Sequence, residues 1–144
     1  MTLEIPKPLF QTILHHLESA YPEEAAGFLL GRLRENGRRR VEAVLPVDNV
    51  WPGEERARRY RIPPEVLLLA EEEAERRGLW VLGVYHSHPD HPSQPSEFDR
   101  LQALPNTSYL IVSVRQGRAR QAQSWRLTDD RARFEEEPLV IAEG

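Results

Sequence analysis

The fifteen residues YHSHPDHPSQPSEFD, positions 85–99, hold three of the five histidines of a 144-residue chain. They also hold Asp90 and Asp99, so imidazole and carboxylate groups crowd one short stretch. His86 and His88 stand two apart at the end of an apolar run, and alternate residues of a strand project to the same side. Two imidazoles so placed can reach one ion; the plainer alternative is a pair of polar residues closing a strand. With no cysteine in the chain, disulfides, thiolate metal sites and cysteine nucleophiles are all excluded. Any metal here must be held by His, Asp or Glu.

Two spacings compete for the remaining ligands. Read as His-x-His-x-Asp-His, residues His86, His88, Asp90 and His91 are similar to the signature of the metallo-β-lactamase superfamily. That signature requires further histidine and aspartate ligands downstream in a longer chain, and no histidine follows His91. Read as His-x-His-Pro, six residues, then Ser-x-x-Asp, the stretch selects His86, His88, Pro89, Ser96 and Asp99. Taken alone, Ser96 and Asp99 are also what a capping box at a helix start requires.

The second spacing resembles the JAMM metalloisopeptidase family, the MPN-plus domain. The family's other requirement, a glutamate upstream in the form Glu-Ala-x-Gly, is met in YPEEAAGFLLG by Glu24, Ala25, Ala26 and Gly27. LGVYHSHP and SYLIVS are also similar to strands of this family, and the order of elements agrees, so the resemblance covers most of the chain. It implies a cytidine-deaminase-like α+β domain with one zinc per chain on His86, His88 and Asp99. A catalytic zinc commonly has three protein ligands and an open position for water, and it acidifies that water and polarises a carbonyl. The resemblance makes Glu24 the general base and then the general acid, with the adjacent Glu23 a solvated carboxylate. Ser96 becomes the hydrogen-bond donor to the oxyanion, although one hydroxyl proton serves one acceptor at a time. Other divalent ions also accept His and Asp ligands.

The implied reaction is hydrolysis of a peptide or isopeptide bond after the C-terminal tail of a ubiquitin-like protein. The near-minimal length is similar to the prokaryotic branch, whose implied partners are ubiquitin-like sulfur carriers. Two products follow: a carrier released from a lysine conjugate, or a carrier relieved of one C-terminal amino acid such as cysteine. The non-catalytic alternative is an MPN-type scaffold lacking the ligands, whereas all five positions are filled here.

The elements that must position these groups are legible in the pattern. Residues 7–20 place Leu9, Phe10, Ile13, Leu14 and Leu17 at helical spacing behind Pro8, with His15 and His16 at surface or half-buried positions. Residues 25–33 read as a buried strand, joined across ENG to a hairpin partner at 38–47; Arg38, Arg39 and Arg40 read as its solvated flank. A loop at 48–57 carries Trp51, and 58–62 reads as a short strand. Pro63 and Pro64 open a second helix over 64–78. A strand over 79–86 leads to the histidines, and a short helix starts at Ser96. Residues 108–114 and 119–127 form a hairpin, and 135–141 add a last strand. The expectation is a single domain over 1–144, α/β in the α+β sense, with one mixed sheet flanked by helices.

Composition bounds the setting. The length suits one domain and 40% of residues are hydrophobic, enough for a substantial core. A net charge of −4 argues against nucleic acid as partner, since phosphate binding shows as a basic domain. No apolar run approaches the ~18 residues of a membrane span, and the N-terminus lacks a basic region followed by an apolar one. A cytoplasmic protein is expected; oligomeric state is not legible.

Overall fold

The computed structural model describes residues 2–49, 53, 56 and 60–143; Trp51 lies outside the described residues. The chain opens with a strand, β1 (Thr2–Pro6), in which Leu3 and Ile5 alternate inward and are fully buried. Helix α1 (Lys7–Ala20) follows at once with Pro8 in its first turn, where a missing N–H costs nothing. Ile13 and Leu17, four apart, form its fully buried stripe. Strand β2 (Ala26–Leu33) turns through Glu35–Gly37 into β3 (Arg38–Val47). Asn36 and Gly37 there take φ of 63° and 73°, the left-handed region that Asn and Gly tolerate best.

Helix α2 (Pro64–Arg76) begins on a proline and stops where Gly78 takes φ of 69°. Strand β4 (Trp80–Pro89) is followed by the short helix α3 (Glu97–Gln102). Strands β5 (Ser108–Arg115) and β6 (Arg118–Leu127) form a tight hairpin, with Gln116 and Gly117 both at positive φ. β7 (Phe134–Glu137) and β8 (Leu139–Ala142) end the described chain. The eight strands make one mixed sheet in the order β7-β6-β5-β4-β2-β3-β1-β8. β7 and β8 sit at opposite ends of that order, yet only Pro138 separates them, and its carbonyl accepts from the Leu3 N–H. The sheet therefore curls until its two edges meet at Pro138.

α1 lies along one face, where Ile13 and Leu17 pack with Leu3, Ile5, Leu29, Tyr85 and Leu110. α2 covers part of the other face, where Ala70 and Ala74 pack with Phe28 and Leu30. The expected mixed sheet flanked by helices is the observed one. Three local expectations change. Residues 135–141 contribute to two strands rather than one, because Pro138 has no N–H to continue a ladder. Tyr60, Arg61 and Ile62 are not in a strand. Arg39 is buried rather than solvated: its guanidinium donates to the carbonyls of Leu82 (2.9 Å) and Asn106 (2.8 Å). Arg38 and Arg40, on the opposite side of β3, both reach Glu4 of β1, whose carboxyl they hold below its ordinary range. No helix among the described residues is long and apolar enough to cross a membrane.

The parallel pairing of β4 with β5 begins at Gly83 opposite Ser108. A Cβ on Gly83 would stand 2.0 Å from the Ser108 carbonyl oxygen, and that backbone cannot swing away as a side chain would. Gly83→Ala is expected to lower stability by about 1–3 kcal/mol or more through overpacking, read as a lower midpoint in urea unfolding. An unchanged midpoint would show that β4 and β5 do not approach so closely.

Candidate active site

Strand β4 runs through Pro89, so both histidines lie within the ladder rather than beyond its end. Val84, His86 and His88 share the face turned toward α2 and α3, while Tyr85 enters the core beneath α1. The Nε2 atoms of His86 and His88 lie 3.3 Å apart. Asp99 completes the group: one carboxylate oxygen is 3.4 Å from His86 Nε2, the other 3.0 Å from His88 Nε2. All three residues are at most 8% exposed.

Asp99 is held by the start of α3. Ser96 caps this helix: its Oγ accepts from the Asp99 N–H (3.0 Å), and its own N–H donates to Asp99 Oδ2 (2.8 Å). The capping box and the candidate ligand group thus share Asp99. The cap uses a lone pair of the Ser96 hydroxyl and leaves its proton for another acceptor. The loop before α3 is laced to its surroundings through backbone carbonyls. Ser113 Oγ donates to the carbonyl of His91, His88 Nδ1 faces that of Pro92 at 2.8 Å, and Trp125 Nε1 donates to that of Ser93.

Glu24 arrives from sixty residues upstream by strand pairing. Ala26 of β2 pairs with His86, and Ala25 and Ser87 exchange bonds, Ala25 N–H to Ser87 Oγ and Ser87 N–H to Ala25 O, each 3.0 Å. Continued by one step, that register sets Glu24 across from His88. Its backbone is fixed further, the N–H donating to the Arg56 carbonyl and the carbonyl accepting from Asn49 Nδ2 at 2.9 Å. Glu24 is buried, whereas Glu23 is exposed and faces Arg56 at 3.9 Å, which separates the two neighbouring carboxylates. Gly27 is required by packing: a Cβ there would stand 2.3 Å from the Tyr85 ring. A cleft of about 380 Å³ is lined by Glu24, His88, His91, Pro92, Gln94, Pro95 and Ser96. All five residues singled out by the sequence therefore converge here.

The protonation pattern suits a cation. Burial opposes ionisation of Asp99, but the two imidazoles outweigh it and hold the carboxyl well below the usual carboxylate range. Burial lowers the pKa of His86 despite the Asp99 charge. His88 Nδ1 faces the Pro92 carbonyl at 2.8 Å; with a cation bound it would keep that bond and leave the Nε2 lone pair for the ion, the usual orientation device for a ligating imidazole. His86 Nδ1 is buried without a hydrogen-bond partner among the described residues, so a cation at Nε2 would select its tautomer. One ligand atom from each of His86, His88 and Asp99 lies within 4.8 Å of the others. The set has the composition and compactness of a three-ligand site.

Sequence reading missed Tyr60 and Ser87. The Tyr60 ring lies against His86, centroids 4.6 Å apart, and walls the site on that side. Ser87, between the two histidines, faces the other way and ties β4 to the segment that carries Glu24 into β2. Its place in the alternation was the available signal. Asp90 and His91 stay outside the ligand group: Asp90 is bound by the Tyr21 hydroxyl and the Gln116 N–H, and the His91 side chain is exposed.

Burial first, and then the Asp99 charge, push the Glu24 pKa up to about 9. A carboxyl whose folded pKa is raised binds a proton that the unfolded chain has released, so stability falls as pH rises between the two values. In metal-depleted protein, wild type should lose stability relative to Glu24→Gln between about pH 5 and about pH 9. Urea unfolding of both proteins across that range checks this. Parallel pH profiles would mean that Glu24 is solvated.

Comparison with known proteins agrees with this geometry. The family described as prokaryotic homologs of the JAB domain matches residues 6–128. A probable TtuB-protein conjugate cleaving protease of Thermus thermophilus is 36% identical over 114 residues, 79% of this chain and 72% of that protein. A CysO-cysteine peptidase of Mycobacterium tuberculosis is 28% identical over 142 residues, 98% of this chain and 92% of that protein. Among solved structures, a JAB1/MPN domain protein of Archaeoglobus fulgidus superposes with a TM-score of 0.57 at 20% identity, covering 97% of this chain and 99% of that one. That last likeness is one of fold.

Proposed function

Because the chain belongs to the prokaryotic JAB-domain family and is a hydrolase of it, we propose that it is a zinc-dependent peptidase acting after the C-terminal tail of a ubiquitin-like sulfur-carrier protein. Residues 1–144 act as one catalytic domain in this reading. The observation that carries it is the convergence of two imidazole Nε2 atoms and the Asp99 carboxylate, beside a cleft that Glu24 and Ser96 also line. Two relatives supply the substrate class: one is named for cleaving conjugates of TtuB, the other for removing cysteine from CysO.

His86, His88 and Asp99 hold the cation, one per chain. When bound, it supplies a Lewis acid for the scissile carbonyl and lowers the pKa of water toward neutrality. Glu24, across from His88, accepts a proton from the attacking water and hands it to the departing amine. The charge that burial disfavours on Glu24 in the metal-free protein is offset when a cation stands beside it. Ser96 spends a lone pair on the Asp99 N–H, so its hydroxyl proton serves the oxyanion of the tetrahedral intermediate. Pro92, through its carbonyl, keeps the His88 ring in one orientation.

Glu24→Gln should retain about one zinc per chain, consistent with a three-ligand site, and lose at least ~100-fold in hydrolysis, the usual share of a general base. Metal analysis and mass spectrometry of a carrier bearing a C-terminal extension or an isopeptide-linked lysine read the two effects. Turnover by Glu24→Gln at the wild-type rate would remove Glu24 from the reaction.

A further inference from the structure

The active-site cleft does not end at Ser96. Gln94, Pro95 and Ser96 also form one wall of an adjoining shelf of about 350 Å³, continued by Glu97, Arg100, Trp125, Ala132, Arg133 and Phe134, which is at the small end of ligand clefts. A separate, apolar groove lies beyond Tyr60, lined by Phe28, Ile62, Leu67, Leu104 and Tyr109. The catalytic cleft thus has two differently furnished neighbours. The departing amine must lie within reach of Glu24, which shares its cleft with Gln94, Pro95 and Ser96. The shelf, which shares those three residues with the cleft, is within reach of a group attached to that amine.

The shelf is tied down by hydrogen bonds and carries one guanidinium, that of Arg133, with no hydrogen bond or ion pair among the described residues. Trp125 is pinned by its bond to the Ser93 carbonyl, and Phe134 meets Tyr109 edge to face at 6.0 Å. Arg100 is committed: it grips both carboxylate oxygens of Glu97 and donates to the Arg131 carbonyl. The turn carrying Arg133 is fastened through Thr128, whose N–H donates to the Arg133 carbonyl and whose Oγ accepts from the Arg133 N–H, and through Asp130, which accepts from Thr128 Oγ and the Ala132 N–H. Arg133 itself is exposed. Its charge is felt by the already bonded Asp130.

We propose that this shelf is the leaving-group subsite and that Arg133 selects a leaving group bearing a free carboxylate, a single C-terminal amino acid on the carrier. The inference rests on the hydrolytic reading above and narrows it. A guanidinium matches a carboxylate with two parallel donors, whereas the lysine side chain of a conjugate brings no carboxylate to this position. In the reaction the carbonyl carbon–nitrogen bond breaks and water oxygen joins the carbon. One water proton passes through Glu24 to the nitrogen as the bond breaks and the second follows to the freed amine, giving a carrier carboxylate and an amino acid with an ammonium group, whose own carboxylate stays on Arg133.

The test uses zinc-loaded full-length protein and one ubiquitin-like carrier extended by a single C-terminal cysteine, prepared as the free acid and as the carboxamide. Both carry the same scissile bond. Wild type should prefer the acid by about tenfold or more in kcat/KM, the worth of one charge-assisted bond, with the difference in KM. Arg133→Gln should bring the acid down to the level of the amide, and Arg133→Lys should restore part of the preference. Equal cleavage of acid and amide by wild type, or a preference that survives Arg133→Gln, would overturn the assignment while leaving the hydrolytic reading intact. So would cleavage confined to an isopeptide-linked carrier. Cleavage of no carrier of any kind would overturn both.

Discussion

The register of β2 against β4 is the constraint on which the rest of the site depends. Ala26 opposite His86 places Glu24 opposite His88, and the period of two along β4 puts both imidazoles on one face. A slip of one residue would turn every side chain of a strand to the other face, sending the histidines into the core under α1 and Tyr85 into the cleft. The register is defended from both sides. Tyr85 fills the space above Gly27, where no side chain fits, and the paired Ala25 and Ser87 bonds lock the next position. The parallel ladder to β5 holds β4 from its other edge.

Asp99 belongs to a different element, and a local device positions it. The same two bonds that stop α3 from fraying orient its carboxylate toward the histidines. Helix capping and metal ligation are usually treated as rival explanations of a Ser-x-x-Asp pattern; here one carboxylate is placed to meet both demands, because it has two oxygens and several lone pairs. The loop between is short of regular structure but not loosely held, since the carbonyls of three successive residues, His91, Pro92 and Ser93, each receive a side-chain donor. This bonding, together with its prolines, fixes the distance between the strand that bears the imidazoles and the helix that bears the carboxylate.

Much of this was legible in the chain. Strict helical spacing at Ile13 and Leu17, the ENG turn, the proline starts of α1 and α2 and the His-x-His alternation each have a local cause, and each appears where expected. What local patterns did not show were consequences of the sheet curling on itself. TLEIP, running straight into the α1 pattern, did not announce a strand, although Leu3 and Ile5 alternate; it becomes one because β3 and β8 lie on either side of it. Arg39 reads as one of three solvated arginines, yet the curled sheet encloses it, and carbonyls from two distant segments receive its protons. Glu24 could be chosen over Glu23 only by resemblance to a family motif; burial supplies the physical reason. Tyr60 carried no signal, because its relation to His86 is purely tertiary.

The account stands on a divalent cation held by His86, His88 and Asp99. Its most direct test is anomalous X-ray diffraction at the zinc edge from crystals of protein purified without chelator. The predicted result is one peak per chain at ~2.0–2.2 Å from Nε2 of His86, Nε2 of His88 and a carboxylate oxygen of Asp99. A peak elsewhere, or none in zinc-supplemented crystals, would contradict it.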